Sequence, residues 1–167
     1  MVDINEPVIW IKNPAAVFAQ NCESGIVIQG QKIIEMVELG QSPKTQIDDT
    51  YDASESVLLP GLINTHHHFY QTLTRAYPEA LNKELFPWLK SLYKVWANIQ
   101  PEMLAVSTEL ALSELLLSGC TTASDHHYLF PSQLENAIDI QVEEAQKLGM
   151  RVVLTRGSMS LGEKDGG

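Results

Sequence analysis

The sequence predicts an α/β fold that is preceded by a small unit made of β-strands. After residue 60, short apolar segments of strand length alternate with longer segments in which apolar residues recur at helical spacing. Before residue 60, the apolar segments are short, contain many β-branched residues and are separated by turn-forming residues. We therefore expect residues 1–59 to form a small β domain and residues 60–167 to form the α/β part.

The β unit is predicted from its apolar runs. The first run is Val8–Ile11, and the segments 25–29 and 32–37 are separated by a glycine-containing pair, as in a β-hairpin. The polar stretch 40–54 is expected to be a loop. The dipeptide Pro60-Gly61 then marks the end of the unit.

The α/β part is predicted to alternate strands with helices. Its predicted elements are, in chain order, a strand at 62–65, a helix at 85–99, a helix from Pro101 that Gly119 ends, a strand at 120–124, a helix from Ser132 that Gly149 ends, and a strand at 151–155. Proline suits the first position of a helix, and Ser132 with Glu135 forms a capping-box pattern. This alternation is typical of a parallel sheet, and both a doubly wound sheet and a TIM-type barrel fit it.

The length of the chain indicates that it is part of something larger. A complete TIM-type barrel needs about 250 residues, whereas this chain has 167 and stops in the turn-rich stretch 162–167. We expect a truncated N-terminal portion.

The helix from Pro101 is apolar apart from a narrow stripe that includes Glu102 and Glu109, so we expect it to be covered on most sides.

Composition favours a small-molecule partner. The chain has 11 Lys and Arg against 21 Asp and Glu, for a formal net charge of −10. Such a chain repels phosphate backbones, so nucleic acids and anionic membranes are poor partners. Cys22 and Cys120 form no C-x-x-C pair, the first ten residues do not resemble a signal peptide, and no long apolar stretch predicts a membrane span. A cytoplasmic location is therefore expected.

The five histidines fall in two groups, His66–His68 and His126–His127, and each group follows a predicted strand. In barrel enzymes the catalytic residues lie at the carboxyl ends of strands. Side chains two apart on a strand point the same way, so His66 and His68 could reach one metal ion while His67 faces the other side. The alternative is a pair of ordinary histidines at a strand end, which this short spacing by itself does not exclude.

The residues around these histidines resemble a known family. The segment from Leu59 to Arg75, with Pro60-Gly61 before the H-x-H pair, is similar to the start of the barrel in the amidohydrolase superfamily, in the branch that deaminates purines and s-triazines. Further matching segments are 85–89, 118–123, 125–131 and 155–162. The resemblance covers nearly the whole chain but only about the first third of a family member. It implies the N-terminal part of a TIM-type (β/α)8 barrel preceded by a small β-sandwich-like domain.

The resemblance also implies a metal-dependent hydrolase acting on C–N bonds. In the family, His66 and His68 would bind one divalent ion, with Zn²⁺ expected and Fe²⁺ the alternative. The remaining ligands and the proton-shuttling Glu would lie beyond Gly167. Metal-bound hydroxide would attack an amino-substituted N-heterocycle and release ammonia. The expected reaction converts 8-oxoguanine to urate, with an s-triazine or a pterin as the alternative substrate.

Three further residues are candidates for substrate binding. Gln71 could donate to and accept from a purine edge, Trp88 could wall a planar ring, and His126 could bind substrate or support a ligand. The alternatives are a solvated glutamine, plain core packing of Trp88 and a structural hydrogen bond of His126. For the 167-residue chain alone we expect no activity and weak Zn²⁺ binding, and the resemblance leaves room for a homo-oligomer of the full-length protein.

Overall fold

A computed structural model describes residues 6–158 and divides the chain into two compact units, Met1–Pro60 and Gly61–Gly167. From residue 6 onward the first unit contains only strands and turns, and the described part of the second alternates strands with helices. The predicted α/β class is confirmed in the second unit, while the predicted turn-rich stretch 162–167 lies outside the described residues. Within residues 6–158, no helix is long and apolar enough to cross a membrane.

The first unit is built from a four-stranded and a two-stranded sheet. The larger sheet has the order β4-β3-β1-β5 and consists of β1 Val8–Lys12, β3 Gly25–Gln29, β4 Lys32–Val37 and β5 Asp49–Asp52; the smaller pairs β2 Ala16–Val17 with β6 Val57–Leu58. The predicted hairpin is confirmed, since β3 and β4 are antiparallel and Gly30 between them has φ +54°. The predicted loop at 40–54 was wrong at β5, an exposed polar strand that pairs parallel to β1.

The second unit contains a three-stranded parallel sheet in the order β7-β8-β9. Its elements are β7 Leu62–His67, α1 Leu85–Trp96, α2 Pro101–Leu117, β8 Cys120–His127, α3 Ala137–Leu148 and β9 Arg151–Arg156, with short 3-10 helices at Phe69–Thr74 and Pro78–Ala80. The sheet therefore follows the predicted order, and the carboxyl ends of its strands share one edge. Both histidine groups lie at that edge.

The start of α3 differs from the prediction, whereas its end does not. The helix α3 begins at Ala137, five residues later than the capping-box pattern indicated, and no side chain caps it. The Ser132 hydroxyl instead lies 3.4 Å from the Gln133 side-chain oxygen, and Leu134 is fully buried in the turn that precedes the helix. The other end agrees with the prediction, because Gly149 follows α3 with φ +69° in the left-handed conformation.

The core of the second unit consists of two clusters. The first contains Tyr70, Leu92, Trp96, Leu104, Leu134 and their neighbours, and the second contains Phe69, Ala111, Leu112, Cys120, Ala123, Ala145 and Met150. Phe69 and Tyr70 are consecutive and fully buried, yet they belong to different clusters. The chain directly after His68 is thus fixed by packing on two sides. Within the described residues, the expectation that α2 is covered on most sides was wrong, because Val106 is 56% and Leu117 89% exposed.

Gly61 allows β7 to lie close to β8. A Cβ atom at this position would lie 2.8 Å from Thr121 Cβ and closer still to Thr121 Oγ1 and Cγ2, so it would overlap the whole side chain. The neighbouring Leu62 N–H donates to the Gly119 carbonyl oxygen at 2.9 Å, which begins the pairing of the two strands. A glycine is therefore required for this approach.

The substitution Gly61→Ala is expected to lower the free energy of unfolding by about 1–3 kcal/mol, because the added methyl group overlaps Thr121. Adding Thr121→Ala should restore part of the loss, since it removes the two nearest of the overlapping atoms. Urea unfolding of the full-length protein measures both effects. Losses that simply add in the double variant would contradict the overlap.

Candidate metal and substrate site

The strand β7 becomes irregular just before its histidines. Its pairing with β8 shifts in register between Asn64 and His67. At this point the Asn64 side-chain oxygen accepts a hydrogen bond from the His66 backbone N–H at 3.0 Å. The side chain thus satisfies a donor that the irregular register leaves without a strand partner.

The rings of His66 and His68 lie close together at the end of β7. Their centres are 5.0 Å apart and their planes are at 86° to each other. Two imidazoles that bind one Zn²⁺ at about 2.0–2.1 Å in a tetrahedral arrangement have ring centres about 5 Å apart. The two side chains therefore have a separation that suits a shared metal ion.

The protonation of His68 also suits a metal ligand. Its Nδ1 lies 2.7 Å from the His126 carbonyl oxygen. Because a carbonyl only accepts, Nδ1 carries the hydrogen and Nε2 keeps a free lone pair. Burial lowers the pKa of His68, which favours the neutral ring that metals require.

His126 lies beside the pair but is not oriented as a third ligand. Its ring stacks on that of His66 with centres 4.5 Å apart and planes at 23°, and its Nε2 is 3.4 Å from the Thr65 carbonyl oxygen. Within residues 6–158, no set of three or more His, Cys, Asp or Glu side chains is arranged to hold a metal ion. The described residues thus provide two neighbouring imidazoles.

Asp125 is a fully buried carboxylate at the centre of this edge. One oxygen accepts from the Phe69 backbone N–H at 2.7 Å, and the other accepts from Gln141 Nε2 at 2.7 Å. Burial raises the pKa of Asp125 from 3.8 to about 6, although these two hydrogen bonds and the charge of His126 lower it in part. The sequence pattern did not reveal Gln141, which lies on the buried face of α3.

A cavity of about 320 Å³ adjoins the histidine pair. It brings together the predicted residues His66, His68, Gln71 and Trp88, whereas His126 is not among the described residues that line it. Trp88 also packs edge-on against Trp96, with ring centres 5.5 Å apart, so it belongs to both the core and the cavity. The other lining residues are His67, Thr72, Thr74 and Arg75.

Arg75 is a cavity residue that sequence reasoning missed. Its guanidinium makes a two-point ion pair with the Glu114 carboxylate, with Nη1 2.7 Å from Oε1. The partners are 39 residues apart in the chain, so no local pattern links them. The neighbouring His67 faces Phe69, with ring centres 5.1 Å apart, and its pKa is lowered chiefly by burial and also by the charge of Arg75.

Two other polar residues at the edge have structural contacts. His127 is fully buried, and its Nε2–H donates to the Leu129 carbonyl oxygen at 2.6 Å, which is a contact within the protein core. The guanidinium of Arg156 lies over the Phe130 ring at 4.2 Å from its centre. This cation–π contact accounts for Arg156 without a substrate group.

Comparisons with known proteins find relatives along most of the chain. The model of the amidohydrolase family matches residues 57–166. The chain is similar to 8-oxoguanine deaminase of Pseudomonas aeruginosa, at 58% identity over 95% of this chain and 36% of that protein. It is also similar to isoxanthopterin deaminase from an unknown prokaryotic organism, at 39% identity over 64% of this chain and 22% of that protein.

A solved structure has a fold similar to that of this chain. The crystal structure of atrazine chlorohydrolase from Arthrobacter aurescens TC1 complexed with zinc superposes with a TM-score of 0.79 and 28% identity, over 95% of this chain and 38% of that chain. The chain therefore spans well under half the length of each of these relatives.

Asp125 is expected to make the free energy of unfolding depend on pH. Its pKa is about 6 in the folded protein against 3.8 for the free group, so the folded state holds the proton more tightly. The resulting stabilisation is complete below the lower value and is lost as the pH rises through the higher one.

Relative to Asp125→Asn, which does not titrate, the wild-type protein should lose on the order of 3 kcal/mol between about pH 4 and pH 6. Urea unfolding of both full-length proteins at several pH values measures this difference. Parallel curves for the two proteins would show that the pKa is not raised.

Proposed function

Because the chain belongs to the amidohydrolase family, we propose that it supplies the first two metal ligands and part of the substrate pocket of a metal-dependent aminohydrolase. The observation that carries the proposal is the pair of imidazoles, His66 and His68, with ring centres 5.0 Å apart beside a cavity. The similarity to deaminases and to a zinc-bound triazine hydrolase supports the same chemistry.

One divalent ion, Zn²⁺ in preference to Fe²⁺, fits this pair. The Nδ1–H of His68 donates a hydrogen bond to the His126 carbonyl oxygen, which leaves Nε2 free to bind the ion. A divalent ion at such a site lowers the pKa of a bound water toward neutrality and so supplies hydroxide at neutral pH. The similar solved structure contains zinc, which supports the choice of ion.

The cavity suits a small planar heterocycle. The amide of Gln71 can donate and accept along a purine edge, and the indole of Trp88 offers an apolar face. His126, whose ring stacks on that of His66, would hold the His66 ring in place. Loss of the NH₂ group also requires a general acid that protonates it as it leaves.

The proposed reaction is hydrolysis of 8-oxoguanine to urate and ammonia, with one water consumed. The 58% identity to 8-oxoguanine deaminase supports this substrate. A pterin or an s-triazine is the second candidate, favoured by the 39% identity to isoxanthopterin deaminase and by the likeness to atrazine chlorohydrolase. These substrates share an amidine-like carbon that bears the leaving group.

We also propose where the two units belong. The parallel order β7-β8-β9 with intervening helices supports assigning Gly61–Gly167 to the first strands of a (β/α)8 barrel. The sheets of Met1–Pro60 would contribute to a β-sandwich-like domain. The change near Pro60, from strands alone to strands alternating with helices, supports the domain boundary predicted there.

The variants His66→Ala and His68→Ala of the full-length protein are expected to lose bound metal and to lower kcat at least about 100-fold, because each removes one metal ligand. His67→Ala is the matched control. It removes the imidazole between them, which packs against Phe69 and also lines the cavity, so it serves as the control for metal content alone and should keep the wild-type value. Metal content by elemental analysis and ammonia release measure the two effects. Full metal content in both ligand variants would disprove the site.

Ammonia release from a panel of heterocycles tests the substrate. With the full-length protein, we expect kcat/KM to be highest for 8-oxoguanine and at least about tenfold lower for guanine, isoxanthopterin and amino-s-triazines, since each contact to the wrong ring leaves polar groups of the pocket unpaired. Turnover of triazines or pterins alone would replace the purine by the second candidate. No ammonia from any member would contradict the aminohydrolase itself.

A further inference from the structure

We propose that Asp125, held by Gln141, is a positioning residue that fixes His68 in the orientation a metal ligand needs. The inference rests on the proposed metal role of His68. It concerns a carboxylate that does not line the cavity and that contacts no substrate in the proposed reaction.

The first support is where the two oxygens of Asp125 go. Oδ1 accepts from the backbone N–H of Phe69, the residue directly after His68, at 2.7 Å. Oδ2 accepts from Gln141 Nε2 on α3, also at 2.7 Å. A single buried carboxylate therefore connects the end of β7 to α3, and both bonds have the short length of charge-assisted hydrogen bonds.

The second support is that β8 holds His68 at two points. Asp125 fixes the backbone on the carboxyl side of His68, while the carbonyl of the next residue, His126, accepts from His68 Nδ1–H at 2.7 Å. Fixing the backbone and one ring nitrogen together determines where Nε2 points. Loss of the Asp125 contact would free the backbone, so the ring would no longer be held in one direction.

The third support is the unfavourable free energy of burying these two polar side chains. Asp125 and Gln141 are both fully buried beside the apolar cluster that contains Phe69, Ala123 and Ala145. Burying a carboxylate and an amide costs free energy that apolar residues in the same places would not cost. Among the described residues, Gln141 Oε1 also has no hydrogen-bond partner, which stability alone does not call for. A role in the geometry of the site accounts for both.

The experiment compares Asp125→Ala with Asp125→Asn in the full-length protein. The amide introduced by D125N keeps an oxygen for the Phe69 N–H, and its NH₂ group can donate to Gln141 Oε1 once that side chain turns over. We expect D125A to weaken Zn²⁺ binding by about 10- to 100-fold and D125N to stay within about threefold of wild type. Zn²⁺ affinity is measured by competition with a chelator, and the visible spectrum of the Co²⁺-substituted protein reports the ligand geometry.

Three further variants separate the explanations. Val27→Ala removes fully buried apolar volume in the first unit, so it should lower the melting temperature without changing Zn²⁺ affinity. Gln141→Leu removes only the rear hydrogen bond and should weaken Zn²⁺ binding several-fold, which also provides a test if D125A does not fold. His68→Ala is the reference for loss of the ligand.

The outcomes are distinct. Wild-type affinity in H68A would show that the proposed metal site is wrong. Loss of affinity in H68A with wild-type affinity in D125A, or in Q141L, would overturn the positioning role and leave the proposed function standing. Equal weakening in D125A and D125N would also overturn it, because D125N preserves both contacts. The expected order of affinities, with a shifted Co²⁺ spectrum in D125A and Q141L and an unshifted one in D125N, would support it.

Discussion

The hydrogen bonds from β8 to the end of β7 are the constraint on which the candidate site depends. A strand ending in three consecutive histidines has considerable freedom once its ladder stops. Here two hydrogen bonds remove that freedom. The Asp125 carboxylate accepts from the Phe69 backbone N–H, and the His126 carbonyl oxygen accepts from His68 Nδ1–H. Phe69 and Tyr70 add packing in two separate clusters. The site geometry therefore follows from the neighbouring strand rather than from β7 alone.

The same edge combines groups that are expensive to bury with groups that must remain accessible. Asp125, His127 and Gln141 are fully buried and hydrogen-bonded beneath the edge, whereas His66 is exposed and adjoins the cavity. Polar groups in a low-dielectric interior need fixed partners, and those partners give the layer above its rigidity. The chemistry and the packing of this unit are thus parts of one network.

Much of the site could be predicted from the sequence, because the relevant information was local. The H-x-H spacing and the strand before it place His66 and His68 together. The sequence did not identify Gln141, because its partner Asp125 lies on a different element and an amide on a helix has no local signature. The edge strand β5 was missed since it has little apolar character and pairs through its backbone. The start of α3 was misplaced because burial of Leu134 outweighs the local pattern at Ser132.

The register shift in β7 has a consequence for how this segment can change in length. The side-chain oxygen of Asn64 accepts the His66 backbone N–H in place of a partner on β8. The register of β7 against β8 shifts within these four residues, from Asn64 to His67. Inserting or deleting a single residue between Gly61 and Phe69 would turn His67 toward the place of its neighbours and break the tie to Asp125. Family members should therefore keep the length of this segment, and variation in length should accumulate only beyond Tyr70.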